Sequence, residues 1–221
     1  MRLKTESRFG DLGNVFKSGT SELLNAIARL AVLYEDLRLE LQELRAIEWK
    51  MAHTEESLPE YRVIYFLRRA LSTLVEFRGT LTVVRKSSEF KQAEWTLTAM
   101  DAGNITGADR FLQQNWQQIN ECRNTFGAHI QHSGVEFATS NLTGVVGSVT
   151  WNSAADGLPM GLECDFAAQI VAGAFSSRLQ TGADVRTEAQ NALAVISEGF
   201  VHTQAAMCAL VHAFLWNRFE K

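Results

Sequence analysis

Apolar side chains recur at alternating spacings of four and three along the first third of the chain: Leu23, Ile27, Leu30, Tyr34, Leu37, Leu41 and Leu44. That is a heptad seam on one side of a helix, and Glu35, Asp36, Arg38, Glu43 and Arg45 fall off it. Ser18 or Thr20 is placed to cap this helix, with Glu22 in its first turn. The polar stretch Glu55-Glu-Ser-Leu-Pro-Glu60 breaks the pattern, and Pro59 suits the first position of a new helix. There Val63, Leu67, Ala70, Leu74, Phe77, Leu81 and Val84 repeat the same alternation. Two long seams joined by a short polar link predict an antiparallel helix pair.

Farther along, Asp101-Ala-Gly-Asn-Ile-Thr-Gly-Ala-Asp109 reads as a loop, with Asp109 capping a helix from Arg110 to about His129. Phe111, Leu112, Trp116, Ile119 and Phe126 supply its apolar side, and Trp116 reads as core. Glycines punctuate residues 133–161, where Val149-Thr-Trp151 is the best strand candidate and a short hairpin has room to form. Glu163 to Leu179 reads as a further helix, and Thr181-Gly-Ala-Asp184 as a turn. A last helix is expected from Val185 to Phe219, its seam (Leu193, Ile196, Phe200, Met207, Leu210, Phe214) broken at Thr203, with a bend at Gly199. His202 and His212 on it read as hydrogen-bonded core or interface residues. The expected fold is all-α: an antiparallel bundle of about five long helices with a glycine-rich connection near 133–161. Residues 1–19 would be a loose lead-in to one helical domain spanning 20–221.

Composition sharpens this. With 46% hydrophobic residues and two prolines in 221, the chain can bury a sizeable core in long helices. Cys122, Cys164 and Cys208 are odd in number, widely spaced and without a C-x-x-C pair, which argues against a disulfide framework and a zinc site. No metal or cofactor motif is present. The charged N-terminus lacks the apolar stretch of a secretory signal, and Ala205–Val211 reads as core, so a cytoplasmic protein without a membrane span is expected. The net charge of −4 weighs mildly against a dedicated nucleic-acid binder. Residues 60–91, however, hold seven basic and three acidic residues, and Arg68, Arg69 and Arg78 are the candidates there for contacting RNA. Arg62, Arg69 and Glu76 recur at seven-residue intervals, so Glu76 is expected to pair with Arg69, or to reach a catalytic arginine as an accessory group.

The chemistry concentrates in Glu121-Cys-Arg-Asn-Thr-Phe-Gly-Ala-His-Ile130. Arg123 offers fixed charge and planar donors for phosphate oxygens, and His129 exchanges protons near neutral pH. Together they supply a base for a ribose 2′-hydroxyl and a cation for charge growing on phosphorus. Six positions apart, they point about 120° from each other on an ideal helix, so Gly127 must end or unwind it if they are to meet. Otherwise Arg123 is a solvated helix arginine and His129 a helix C-terminal histidine. His132, three residues on, is the substitute base.

Arg123-Asn124-Thr125-Phe126-Gly127-Ala128-His129 resembles the signature of the HEPN superfamily: an arginine, a polar residue, and a histidine after a short interval. The helix Tyr61–Arg78 is similar to the one preceding that motif in abortive-infection-like members. The resemblance implies a metal-independent endoribonuclease of a toxin or phage-defence system, working as a homodimer with a composite cleft and in some cases gated by an antitoxin or other protein partner. It implies that His129 moves the proton, Arg123 stabilises the phosphate and Asn124 orients either. Some toxin members carry a tyrosine two residues past the histidine that a partner modifies; Gln131 stands there, so that regulation is not implied. The alternative is a non-catalytic HEPN-like dimerisation or binding module.

Overall fold

The computed structural model describes residues 21–53, 60–120, 139–140, 149–153, 159–164, 170 and 185–218. The chain is an all-α helical bundle, with one two-stranded hairpin among the described residues. Its elements are α1 (Glu22–His53), α2 (Glu60–Lys86), α3 (Ser88–Ala93), α4 (Ala99–Gln114), β1 (Val149–Ser153), β2 (Pro159–Cys164) and α5 (Val185–Leu210). They divide into two compact units: Met1–Arg38 with Thr73–Trp116 and Ser197–Lys221, and Leu39–Ser72 with Gln117–Ile196.

α1 contains neither glycine nor proline and is rich in leucine, glutamate and arginine, all strong helix formers. Ser18 and Thr20 lie outside the described residues, and the cap is Ser21, whose Oγ accepts from the Leu24 amide at 3.3 Å. Every predicted seam residue of α1 is buried except Tyr34, which is half-buried. On α2 the seam also holds, except that Ile64 is buried where Val63 was expected. Thr80 and Thr82 survive mid-helix because each hydroxyl donates to a carbonyl four residues back, at 2.9 Å.

Ion pairs give the register. In the second unit Glu40 meets Arg69 and Glu43 meets Arg62, so numbers on α2 fall as those on α1 rise. In the first unit Arg29 pairs with Glu76, and Glu22 to Arg29 share a groove with Glu76 to Val83. The pair is antiparallel in each. Within the first unit, Arg85 of α2 meets Asp109 of α4 while Arg78 meets Trp116, so α4 also runs antiparallel to α2.

One buried serine makes the corner after α2. Ser87 takes an extended backbone (φ −61°, ψ 145°); its Oγ donates to the Val84 carbonyl and accepts from the Phe90 amide, closing one helix and capping the next. A 3-10 turn, Glu94–Thr96, leads to Thr98.

The region 101–109, expected as a loop, is the body of α4. Thr98 Oγ1 accepts from the Asp101 amide at 3.0 Å and donates to Asp101 Oδ2 at 2.8 Å, an N-cap eleven residues upstream of the expected one. Buried Ile105, Ala108, Phe111 and Leu112 then hold Gly103 and Gly107 in helix despite their low propensity. Asp109 therefore caps nothing and instead faces Arg85. The helix stops at Asn115, where both the backbone amide and Nδ2 donate to the Phe111 carbonyl at 3.0 Å; helix resumes over residues 116–120.

β1 contains the Val149–Trp151 candidate and pairs antiparallel with β2, from Val149↔Cys164 to Ser153↔Pro159. Glu163 and Cys164 thus belong to a strand and do not open a helix; backbone pairing with β1 overrides the apolar spacing beyond them. Except for Ile170, the remainder of the expected helix to Leu179 lies outside the described residues, as do the 1–19 lead-in, Pro59 and Thr181–Asp184.

α5 passes into a π-helical turn, Val211–Leu215, and a 3-10 turn, Trp216–Arg218. Its seam is not broken at Thr203, which is fully buried with its hydroxyl on the Phe200 carbonyl at 3.0 Å. Gly199 is a contact point: a Cβ there would sit 3.1 Å from the Leu74 methyls and 3.2 Å from Phe111. By length and composition Ala189–Arg218 could cross a membrane; 39% of its apolar window is buried inside the molecule.

Two glycines should respond oppositely. Gly103 is exposed with open space around its Cβ position, so Gly103→Ala should raise unfolding free energy by about 0.5–1 kcal/mol. Gly199→Val should lower it by about 1–3 kcal/mol through overpacking. Urea titrations read both; no gain at Gly103 would contradict a helical 101–109.

Candidate functional site

Arg123, Asn124, His129 and His132, together with Gly127, lie outside the described residues. What is described is the chain leading to them. Helix α4 ends at Asn115, and in the helical stretch after it Ile119 is 1% exposed. Trp116, expected as core, is half-buried and lies under the Arg78 guanidinium, 3.9 Å from ring centroid to Cζ.

The basic residues of α2 have mostly found carboxylates. Arg62 bonds Glu43 at 2.6 Å, Arg69 lies 3.4 Å from the buried carboxylate of Glu40, and Arg85 pairs with Asp109. Glu76 pairs with Arg29 of α1 at 3.3 Å and not with Arg69; both side chains are more than half exposed. The seven-residue interval on one helix is longer than a carboxylate reaches, whereas the antiparallel neighbour lies alongside. Arg68 is half-buried. Nine positions separate Arg69 from Arg78, which puts them on opposite sides of a helix with 3.6 residues per turn. By that spacing Arg69 and Arg78 do not share a face, so the three RNA-contact candidates do not form a single one.

Arg29 and Glu76 also border a groove of about 610 Å³, lined further by Glu22, Asn25, Ala26, Gly79, Thr80 and Val83. Its charges are mixed and its floor is small side chains, so it presents no concentrated field to an anion.

A second polar cluster was not anticipated. Asp101, 5% exposed, holds Thr98 and also His212, whose Nδ1 lies 3.2 Å from Oδ2. His212 is exposed rather than core, because the π-helical turn swings it out to the start of α4. The signal was Thr98-x-x-Asp101, a capping box with the shorter acid. His202 stacks on Phe111 at 4.8 Å between centroids and stands 4.0 Å from Glu198. Tyr34 has its phenol pushed above the ordinary value, by burial first and then by the neighbouring Glu35 carboxylate. Cys208 is a free, exposed thiol. Among the described residues no three His, Cys, Asp or Glu side chains gather as a metal site.

If Glu76 serves only the surface pair, a double-mutant cycle of Arg29→Ala and Glu76→Ala should give a coupling of at most about 1 kcal/mol, shrinking with added salt. A coupling several times larger and indifferent to salt would mean a buried role. No family model, no curated protein and no solved structure matches the chain.

Proposed function

We propose that the protein is a metal-independent endoribonuclease of the HEPN type, acting in the cytoplasm as a homodimer without a membrane anchor, in a toxin or phage-defence role. The observation that carries the reading is Arg123-Asn124 followed by His129, in an all-α chain and just beyond the helical residues 116–120. His129 takes the 2′-hydroxyl proton, the 2′-oxygen attacks phosphorus, and the 5′-oxygen leaves with a proton returned by an imidazolium. Arg123 stabilises the pentacoordinate phosphate, and Asn124 orients the histidine or the phosphate. The products are a 2′,3′-cyclic phosphate and a 5′-hydroxyl, and DNA, lacking the nucleophile, is spared.

One observation favours a second reading, a non-catalytic HEPN-like binding module. Arg29, Arg62, Arg69 and Arg85 are each beside a carboxylate, and the net charge is −4, so little positive field is spare for a polyanion.

Labelled single-stranded RNA incubated with the protein in EDTA separates the readings. Wild type should cut and leave cyclic phosphate ends. His129→Ala should cut about 10²–10⁴ times more slowly, and Arg123→Ala should be similarly impaired. Undiminished cutting by folded His129→Ala would sink the assignment, and an inert wild type would favour the binding module.

A further inference from the structure

Two rungs tie α2 to the chain that runs antiparallel beside it. At Arg85 the facing group is the Asp109 carboxylate. Seven residues earlier, at Arg78, it is the indole of Trp116. The contrast has an electrostatic consequence. A carboxylate cancels a guanidinium, whereas an aromatic face attracts the cation without removing its charge. Among the described residues Arg78 has no carboxylate partner, unlike Arg29, Arg38, Arg62, Arg69 and Arg85.

Stacking also fixes geometry. With its Cζ 3.9 Å from the ring centre, the guanidinium is held beside the indole, and Arg78 is half-buried rather than enclosed. A long side chain is thereby ordered before any ligand arrives, which lowers the entropic cost of binding. Such a fork suits a two-oxygen anion, carboxylate or phosphate. Trp116 favours the phosphate of a single strand, since an aromatic surface beside an arginine is what unpaired bases stack on.

We propose that Arg78 and Trp116 form a phosphodiester-binding subsite for single-stranded RNA, with one phosphate in the Arg78 fork and a neighbouring base beside the indole. The identity of the strand as substrate rests on the ribonuclease reading, because Trp116 stands seven residues before Arg123. Arg69, beside Glu40, is not part of this subsite.

The test measures binding apart from cutting. Anisotropy of a labelled 2′-O-methyl oligoribonucleotide, which lacks the attacking hydroxyl, is followed from about 50 to 200 mM salt. Wild type should bind, and Arg78→Ala should bind about tenfold more weakly, with the log–log salt slope reduced by about 0.7. Arg78→Lys should keep the slope and recover part of the affinity. Trp116→Ala should weaken binding with little change of slope, and Arg62→Ala, lacking a role here, should resemble wild type. Should Arg78→Ala melt below the assay temperature, Arg78→Gln carries the comparison. Wild-type affinity and slope in the Arg78 variants, or no binding by wild type, would overturn the subsite. Unmodified RNA run in parallel keeps the two ideas separable: binding through Arg78 without cutting removes the nuclease, while cutting with Arg78→Ala unchanged in slope and KM removes the subsite.

Discussion

A helix with an apolar side chain at every third or fourth position cannot stay alone in water, and both α1 and α2 carry such a stripe. Burying the two stripes against each other is the constraint on which the other elements depend. In the first unit it fixes Leu30, Leu37, Leu74, Phe77 and Leu81 as fully buried positions. Ser87 must then turn the chain within one residue, and α4 can lie back along α2. α5 fits this assembly because Gly199 gives up its side chain where Leu74 and Phe111 already stand. The packing is close enough that one methyl group there would have to displace a neighbour.

Periodicity is a local property, so the sequence carried the two seams almost residue for residue. What it hid depended on partners distant along the chain. Residues 101–109 hold two glycines and polar groups, which locally mean a turn, yet burial of Ile105 and Ala108 outweighs a propensity deficit of about 1 kcal/mol per glycine. Thr203 looked like an interruption because its polarity was visible and its bond to the Phe200 carbonyl was not. Glu76 illustrates the same limit for charges: helical spacing suggested Arg69, but the antiparallel register decided for Arg29. As for the candidate site, residue types and spacing at Arg123–His129 could be read from the chain, whereas the meeting of those side chains is a tertiary matter and lies outside the described residues.

A charge count along one helix omits the groups that its neighbours supply. Four more basic than acidic residues over 60–91 suggested a positive face. An antiparallel neighbour supplies its own acids, though, and Glu40, Glu43 and Asp109 come from α1 and α4. A local excess therefore says little about a surface until each cation has been matched with the group opposite. Arg78 differs not by its own chemistry but by facing an indole.

That difference separates scaffold from chemistry along a single stretch of chain. Up to Leu112, α4 is held by its cap at Thr98, by its buried face and by the Arg85–Asp109 pair. At Asn115 the Phe111 carbonyl receives two donors and α4 ends. Beyond that point Trp116 lies under Arg78, and Ile119 is buried. A cation–π contact of this kind contributes about 0.5–1 kcal/mol where solvent reaches it, far less than a buried core side chain. Arg78, which faces an indole, is thus ordered without its charge being cancelled by a carboxylate.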